Sequence, residues 1–136
     1  MSAPAVAVLG DGKKVAAAWM DARTKKGERK LYWSISESQR PKKETPLDAA
    51  STSQQDHPAL AFDASGTVWV AWEEGKRSDQ RIRFRSSAES SKPAQASDDS
   101  HGEAAFPSIA AGGGVVCVVY EAGEQKQEIV YFRRVE

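Results

Sequence analysis

Three apolar repeats, a recurrent glycine between the two halves of each, and the lack of any helical period predict an all-β chain built as β-propeller blades. The first repeat reads Pro4-Ala5-Val6-Ala7-Val8, then Gly12, then Val15 to Trp19. The second reads Pro58-Ala59-Leu60-Ala61-Phe62, then Gly66, then Val68 to Trp72. The third reads Pro107-Ser108-Ile109-Ala110-Ala111, then Gly114, then Val115 to Tyr120. The opening prolines are 54 and 49 residues apart, a period that suits four-stranded blades. Blade one is expected over 4–50, blade two over 58–98 and blade three over 107–136, within a single domain of 136 residues.

Each element has a local reason. Strand a is the short alternating run after each proline. The turns Gly10-Asp11-Gly12, Ala64-Ser65-Gly66 and Gly112-Gly113-Gly114 close a hairpin, because glycine takes positive φ without steric cost. Strand b follows, over 15–19, 68–72 and 115–120. These runs are rich in valine and aromatics, too short for helices, and apolar on both faces, so both faces need cover. A polar loop leads to strand c, centred on Leu31-Tyr32-Trp33, Ile82-Arg83-Phe84 and Ile129-Val130-Tyr131. Leu31, Ile82 and Ile129 are expected in equivalent places, as are Trp33, Phe84 and Tyr131. Strand d is expected over 43–49 and 92–97, where Pro46 and Pro93 suit an outermost strand with one free edge. Blade three ends before a strand d. The expectation is eleven strands in three antiparallel blades, the last without its outer strand.

Composition excludes several classes. Nineteen basic residues balance nineteen acidic ones, so there is no electrostatic pull toward nucleic acid or anionic lipid. Apolar residues make up 40% and charged residues 28%, as in a globular chain. The single cysteine, Cys117, lies in the run Val115 to Val119 and reads as a small core hydrophobe. No CxxC motif, no run of eighteen apolar residues and no GxSxG, Walker-A or HExxH motif occurs. The opening Met1-Ser2-Ala3-Pro4 has no basic and apolar signal regions. An export signal removed upstream would place the chain in the periplasm or outside the cell. Nothing in the sequence requires a cofactor or a metal.

The run His57-Pro58-Ala59-Leu60-Ala61-Phe62-Asp63-Ala64-Ser65-Gly66-Thr67-Val68-Trp69-Val70-Ala71-Trp72 resembles the repeat of sialidase-like propellers, the Asp-box superfamily. Ala18-Trp19-Met20-Asp21-Ala22-Arg23 is similar to the segment after the second strand of bacterial sialidases. The resemblance implies a six-bladed ring and covers nearly the whole chain as a repeat pattern. The catalytic parts depart from it. Ser2-Ala3-Pro4 stands where the family has Arg-Ile-Pro, so the carboxylate-gripping arginine is missing. The loop Thr24 to Lys30 has no aspartate in the acid/base place. Ser36 to Gln39 and Ser87 to Ser90 replace the Asp-box turn. Arg23 alone carries over, and the expectation is a chain that is not an enzyme.

In this family the loops after strand b and before strand a share one face of the ring. That face would hold Asp21, Arg23, His57, Glu73, Glu74, His101 and Glu121, either as a ligand-binding mouth or as a solvated polar rim. Asp21, Glu74 and Glu121 recur near equivalent positions; repetition of a structural acid explains that as well as metal binding does. Arg81, Arg83 and Arg85 alternate along one strand face and read as a solvent-facing strip paired with acids. Tyr120 beside Glu121 matches Trp19 and Trp72 and reads as core.

The function expected is a non-catalytic propeller module that binds protein or glycan. A fragment or degenerate relative of a sialidase or other glycosidase is the alternative, and a purely structural assembly domain a third. Three blades cannot close a ring of about four to eight. A homodimer forming a six-bladed ring is therefore expected.

Overall fold

The computed structural model describes residues 2–23, 28–37, 40 and 43–134, with the backbone alone for the last three. Most of the loop 24–30, Ser38 and Gln39 and the final two residues of the third repeat lie outside the described residues.

Among the described residues, eleven strands form three antiparallel sheets. The first sheet orders β1 (Ala5–Val8), β2 (Lys14–Asp21), β3 (Lys30–Glu37) and β4 (Thr45–Pro46). The second orders β5 (Gln55–Phe62), β6 (Val68–Glu74), β7 (Arg81–Ser86) and β8 (Ala94–Gln95). The third holds β9 (Ala104–Gly112), β10 (Val115–Ala122) and β11 (Gln127–Arg134). Each sheet is a meander of neighbouring strands, and β5 packs against both β1 and β9, so the first strands approach one another. The sole helical element among the described residues is a 3-10 turn at Asp99–His101. The outer strands β4 and β8 are only two residues long, shorter than the sequence implies. Pro46 pairs opposite Tyr32, at the edge where its missing donor costs nothing.

Two cores hold the sheets together. Ala16, Ala18, Leu31, Trp33 and Leu47 of the first sheet pack on Val68, Val70 and Trp72 of the second. Trp69, Ala71, Ile82 and Phe84 on the other face of the second sheet pack on Val116, Val118 and Tyr120 of the third. Among the described residues, only the middle sheet is covered on both sides. Along β6 the first six residues are all buried. Along β10 buried positions alternate with half-buried ones, and in β2 only Ala16 and Ala18 are buried.

Two expectations change here. Trp72 and Tyr120 are buried, but Trp19 is only half-buried, because it faces away from the second sheet. The proposed equivalence of Ile129 with Leu31 and Ile82 also fails. Leu31 pairs with Met20 and Ile82 with Glu73, whereas Ile129 pairs with Tyr120. Ile129 and Tyr131 therefore face back to the second sheet and Val130 faces outward at 50% exposure. Side chains alternate with period two, so a one-residue offset moves the whole set to the other face.

The arginine strip also differs from expectation. Arg81 does meet Asp79 and Asp99. Arg83 lies 3.2 Å from Glu74 and donates to the Pro93 carbonyl. Arg85 instead turns inward over the Trp33 ring at 5.5 Å and donates to the carbonyls of Leu47 and Ser91. It fastens the outer parts of two sheets together.

Candidate functional site

The second and third sheets open at one end into a cleft of about 550 Å³, lined among others by Arg29, His57, Glu73, Arg77, Phe106 and Glu121. Its geometry starts from the residue before the proline in each repeat. His57 has φ 46° and Phe106 φ 53°, conformations that cost a non-glycine residue about 1–3 kcal/mol. Each sits in a break of the ladder, between Asp56 and Ala59 in β5 and between Ala105 and Ser108 in β9. The following proline lacks an N–H, so the ladder loses little by bulging there. The bulge turns both side chains toward the mouth of the cleft, where the His57 and Phe106 rings meet edge to face at 5.1 Å.

Glu73 organises this pair. It is 2% exposed, and a buried carboxylate must find donors. Oε2 lies 2.8 Å from His57 Nδ1 and accepts from Gln80 Nε2 at 3.2 Å. Oε1 accepts the Phe106 backbone N–H at 2.6 Å. One carboxylate thus fixes a histidine ring, an amide side chain and the strained backbone of the next sheet. Beside it, Asp56 accepts from the His57 N–H at 3.0 Å and pairs with Arg29 at 3.0 Å. Burial alone would raise the Asp56 pKa, but the bonds from Ser2, His57 and Arg29 outweigh it and hold it below the usual carboxylate range.

The loop under Arg77 and Gln80 depends on Gly75. Its φ is 115°, and a Cβ there would stand 2.5 Å from the Asp79 carbonyl oxygen. Phe106 is left 55% exposed at the mouth. The cleft therefore offers one apolar ring face among fixed donors and acceptors, an arrangement for binding and orienting a polar ligand.

The expected rim divides in four. His57, Glu73 and Glu121 share the cleft. His101 lines a neighbouring depression that meets it at Ala122 and Gly123. Asp21 and Arg23 form a separate cluster on the first sheet. There Arg23 pairs with Asp21 and Glu44 and lies 4.7 Å above the Tyr32 ring. The Arg23 hydrogen bonds hold the Asp21 and Glu44 pKa values low. Glu74 turns to Gln55 and Arg83. The proposed equivalence of Asp21, Glu74 and Glu121 is off by one at the third member. Asp21, Glu74 and Ala122 each pair with the first described pairing residue of strand c, while Glu121 matches Glu73. Phe106, Arg77 and Gln80 were missed as site residues. Phe106 could have been found, since it precedes Pro107 as His57 precedes Pro58. Among the described residues no group of three His, Cys, Asp or Glu gathers at metal-binding range.

No protein-family model and no curated protein matches the chain. Solved structures do match it in fold. An α-L-arabinanase of Penicillium chrysogenum, solved with arabinobiose, superposes with a TM-score of 0.53 at 10% identity over 95% of this chain. This chain spans 56% of the arabinanase's length. A fucose lectin of Kordia zhangzhouensis, solved with methyl-fucoside, superposes with a TM-score of 0.55 at 13% identity. That match covers 98% of this chain and 94% of the lectin. Both neighbours are β-propellers, and the fold of this chain is propeller-like.

Proposed function

We propose that this chain is a non-catalytic, sialidase-like propeller module that binds carbohydrate in the cleft between its second and third sheets. The observation that carries the reading is the Phe106 ring, exposed at 55% beside the buried Glu73 that fixes His57 and Gln80. A sugar presents an apolar C–H face and a rim of hydroxyls. An aromatic ring takes the first, and oriented polar side chains take the second. The lectin, similar in fold and length, supports the glycan class. The absence of an arginine before Pro4 and the pairing of Arg23 with Asp21 and Glu44 support a site without sialidase chemistry.

The test is calorimetry against a panel of fucosides, arabino-oligosaccharides and sialosides. One class binds, Phe106→Ala weakens it by roughly twofold to tenfold, and no glycoside is turned over. Aromatic stacking worth about 0.5–1.5 kcal/mol sets that scale. Binding unchanged in Phe106→Ala, or turnover of a fluorogenic sialoside that is lost on changing Arg23, overturns the reading.

The same reading includes a partner. The open faces of the first and third sheets are closed by a second copy, making a six-bladed homodimeric ring. A second reading, favoured by the greater length of the arabinanase, is that these sheets belong to a longer, degenerate glycosidase propeller.

A further inference from the structure

The contact between the second and third sheets is built on an acid whose counterpart holds no hydrogen-bond partner among the described residues. Glu73 follows Trp72 and pairs opposite Asp56, and its side chain takes the N–H of Phe106, the residue before the next sheet's proline. Glu121 follows Tyr120 and pairs opposite Ala105, so it occupies the same place in the third sheet. It projects from the face opposite Val116, Val118 and Tyr120, which are buried against the second sheet.

The far side of the molecule offers the matching half. Ala3 precedes Pro4 as His57 and Phe106 precede their prolines. Trp19 holds the place of Trp72 and Tyr120, yet is half-buried where they are buried. Val6 and Val8, on the same outer face, are 69% and 58% exposed. Opposite, the third sheet's outer face carries Ala110, Cys117, Val119 and the half-exposed Val130. Both outer faces are therefore apolar, and docking one on the other removes Val6, Val8 and Val130 from water.

We infer that a second copy of this chain docks its first sheet on the third sheet, where Glu121 accepts the backbone N–H of Ala3 of the partner subunit. This rests on the homodimeric ring proposed above and specifies its junction. Glu121 and Phe106 both line the cleft. The partner segment that meets Glu121 therefore becomes one wall of the ligand site, which is complete only in the dimer.

The test uses the whole chain and three readouts: light scattering across a dilution series, the labelling rate of Cys117 by a small thiol reagent, and glycan affinity. The wild type is expected at twice the 14.8 kDa chain mass, with Cys117 labelled slowly. Val6→Glu places a charge on an exposed position, so it leaves the fold intact, yields a monomer with fast labelling, and lowers glycan affinity. Glu121→Ala weakens the dimer by roughly tenfold to a hundredfold, the scale of a charged hydrogen bond. A wild-type monomer at micromolar concentration overturns the ring and this junction together. A wild-type dimer that Glu121→Ala leaves equally tight, or whose Cys117 labels as fast as in Val6→Glu, overturns this junction and leaves the ring standing.

Discussion

Trp72 and Trp19 occupy the same place in two repeats, and their surroundings give them different weights. Trp72 is fully buried between two sheets. Trp72→Ala is expected to cost roughly 3–5 kcal/mol, as other large aromatic truncations in cores do. Trp19→Ala costs less in the monomer, because one side of the ring is open. Urea unfolding of both variants in the monomeric Val6→Glu background checks this; equal midpoints there contradict the assignment of open and covered faces. Glu73 carries weight of another kind. Glu73→Ala removes the charged acceptor of the Phe106 N–H and releases His57, at a cost of about 1–3 kcal/mol. The same variant loses glycan affinity beyond what its stability loss explains, since the cleft side chains lose their common anchor.

The hairpins show how local chemistry builds each sheet. Between β5 and β6, Asp63 accepts from Ser65 N–H and Oγ, from Thr67 N–H and from Trp69 Nε1. Burial works against its charge, but these donors prevail and lower its pKa. A lowered folded-state value means stability present above the unfolded aspartate pKa, about 3.9, and lost as pH falls through the folded value. Acid titration of unfolding should therefore show Asp63→Asn, already weaker at neutral pH, losing less stability below about pH 4 than the wild type. Equal acid sensitivity counts against Asp63 as a source. The loop between β6 and β7 depends on Gly75 in the same local way. Gly75→Ala forces its backbone away from Asp79, and lower stability with weaker glycan binding is expected, by thermal melting and calorimetry.

The molecule as a whole is a stack of three sheets with a finished middle and two unfinished ends. β6 is apolar on both faces because both are covered. β2 and β10 carry similar sequences, yet each is covered on one face alone. Exposed apolar faces favour association, and a dimer interface above roughly 1,000 Å² is expected. The thermal midpoint should then rise with protein concentration. A midpoint independent of concentration across a hundredfold range speaks against a dimer that stabilises the fold.

The strands were legible because each is a short-range pattern. Proline, an alternating apolar run, a glycine turn and a valine-rich run recur three times, and β1, β2, β5, β6, β9 and β10 follow that pattern. The face of the third hairpin's return strand depends on the turn register: Ile82 pairs opposite Glu73 but Ile129 opposite Tyr120, which sets them on opposite faces. What no local pattern specifies is which acids converge. Glu73 and Glu74 are neighbours in the chain. One takes His57, Gln80 and the Phe106 N–H, while the other turns to Gln55 and Arg83. That choice comes from the packing of the third sheet against the second, which turns one face of β6 toward Phe106 and the other toward the first sheet. Arg23 shows the same limit from the opposite direction. Its place after the second strand makes it a candidate for the ligand rim, yet Glu44, twenty-one residues away, reaches it across the sheet and occupies its charge.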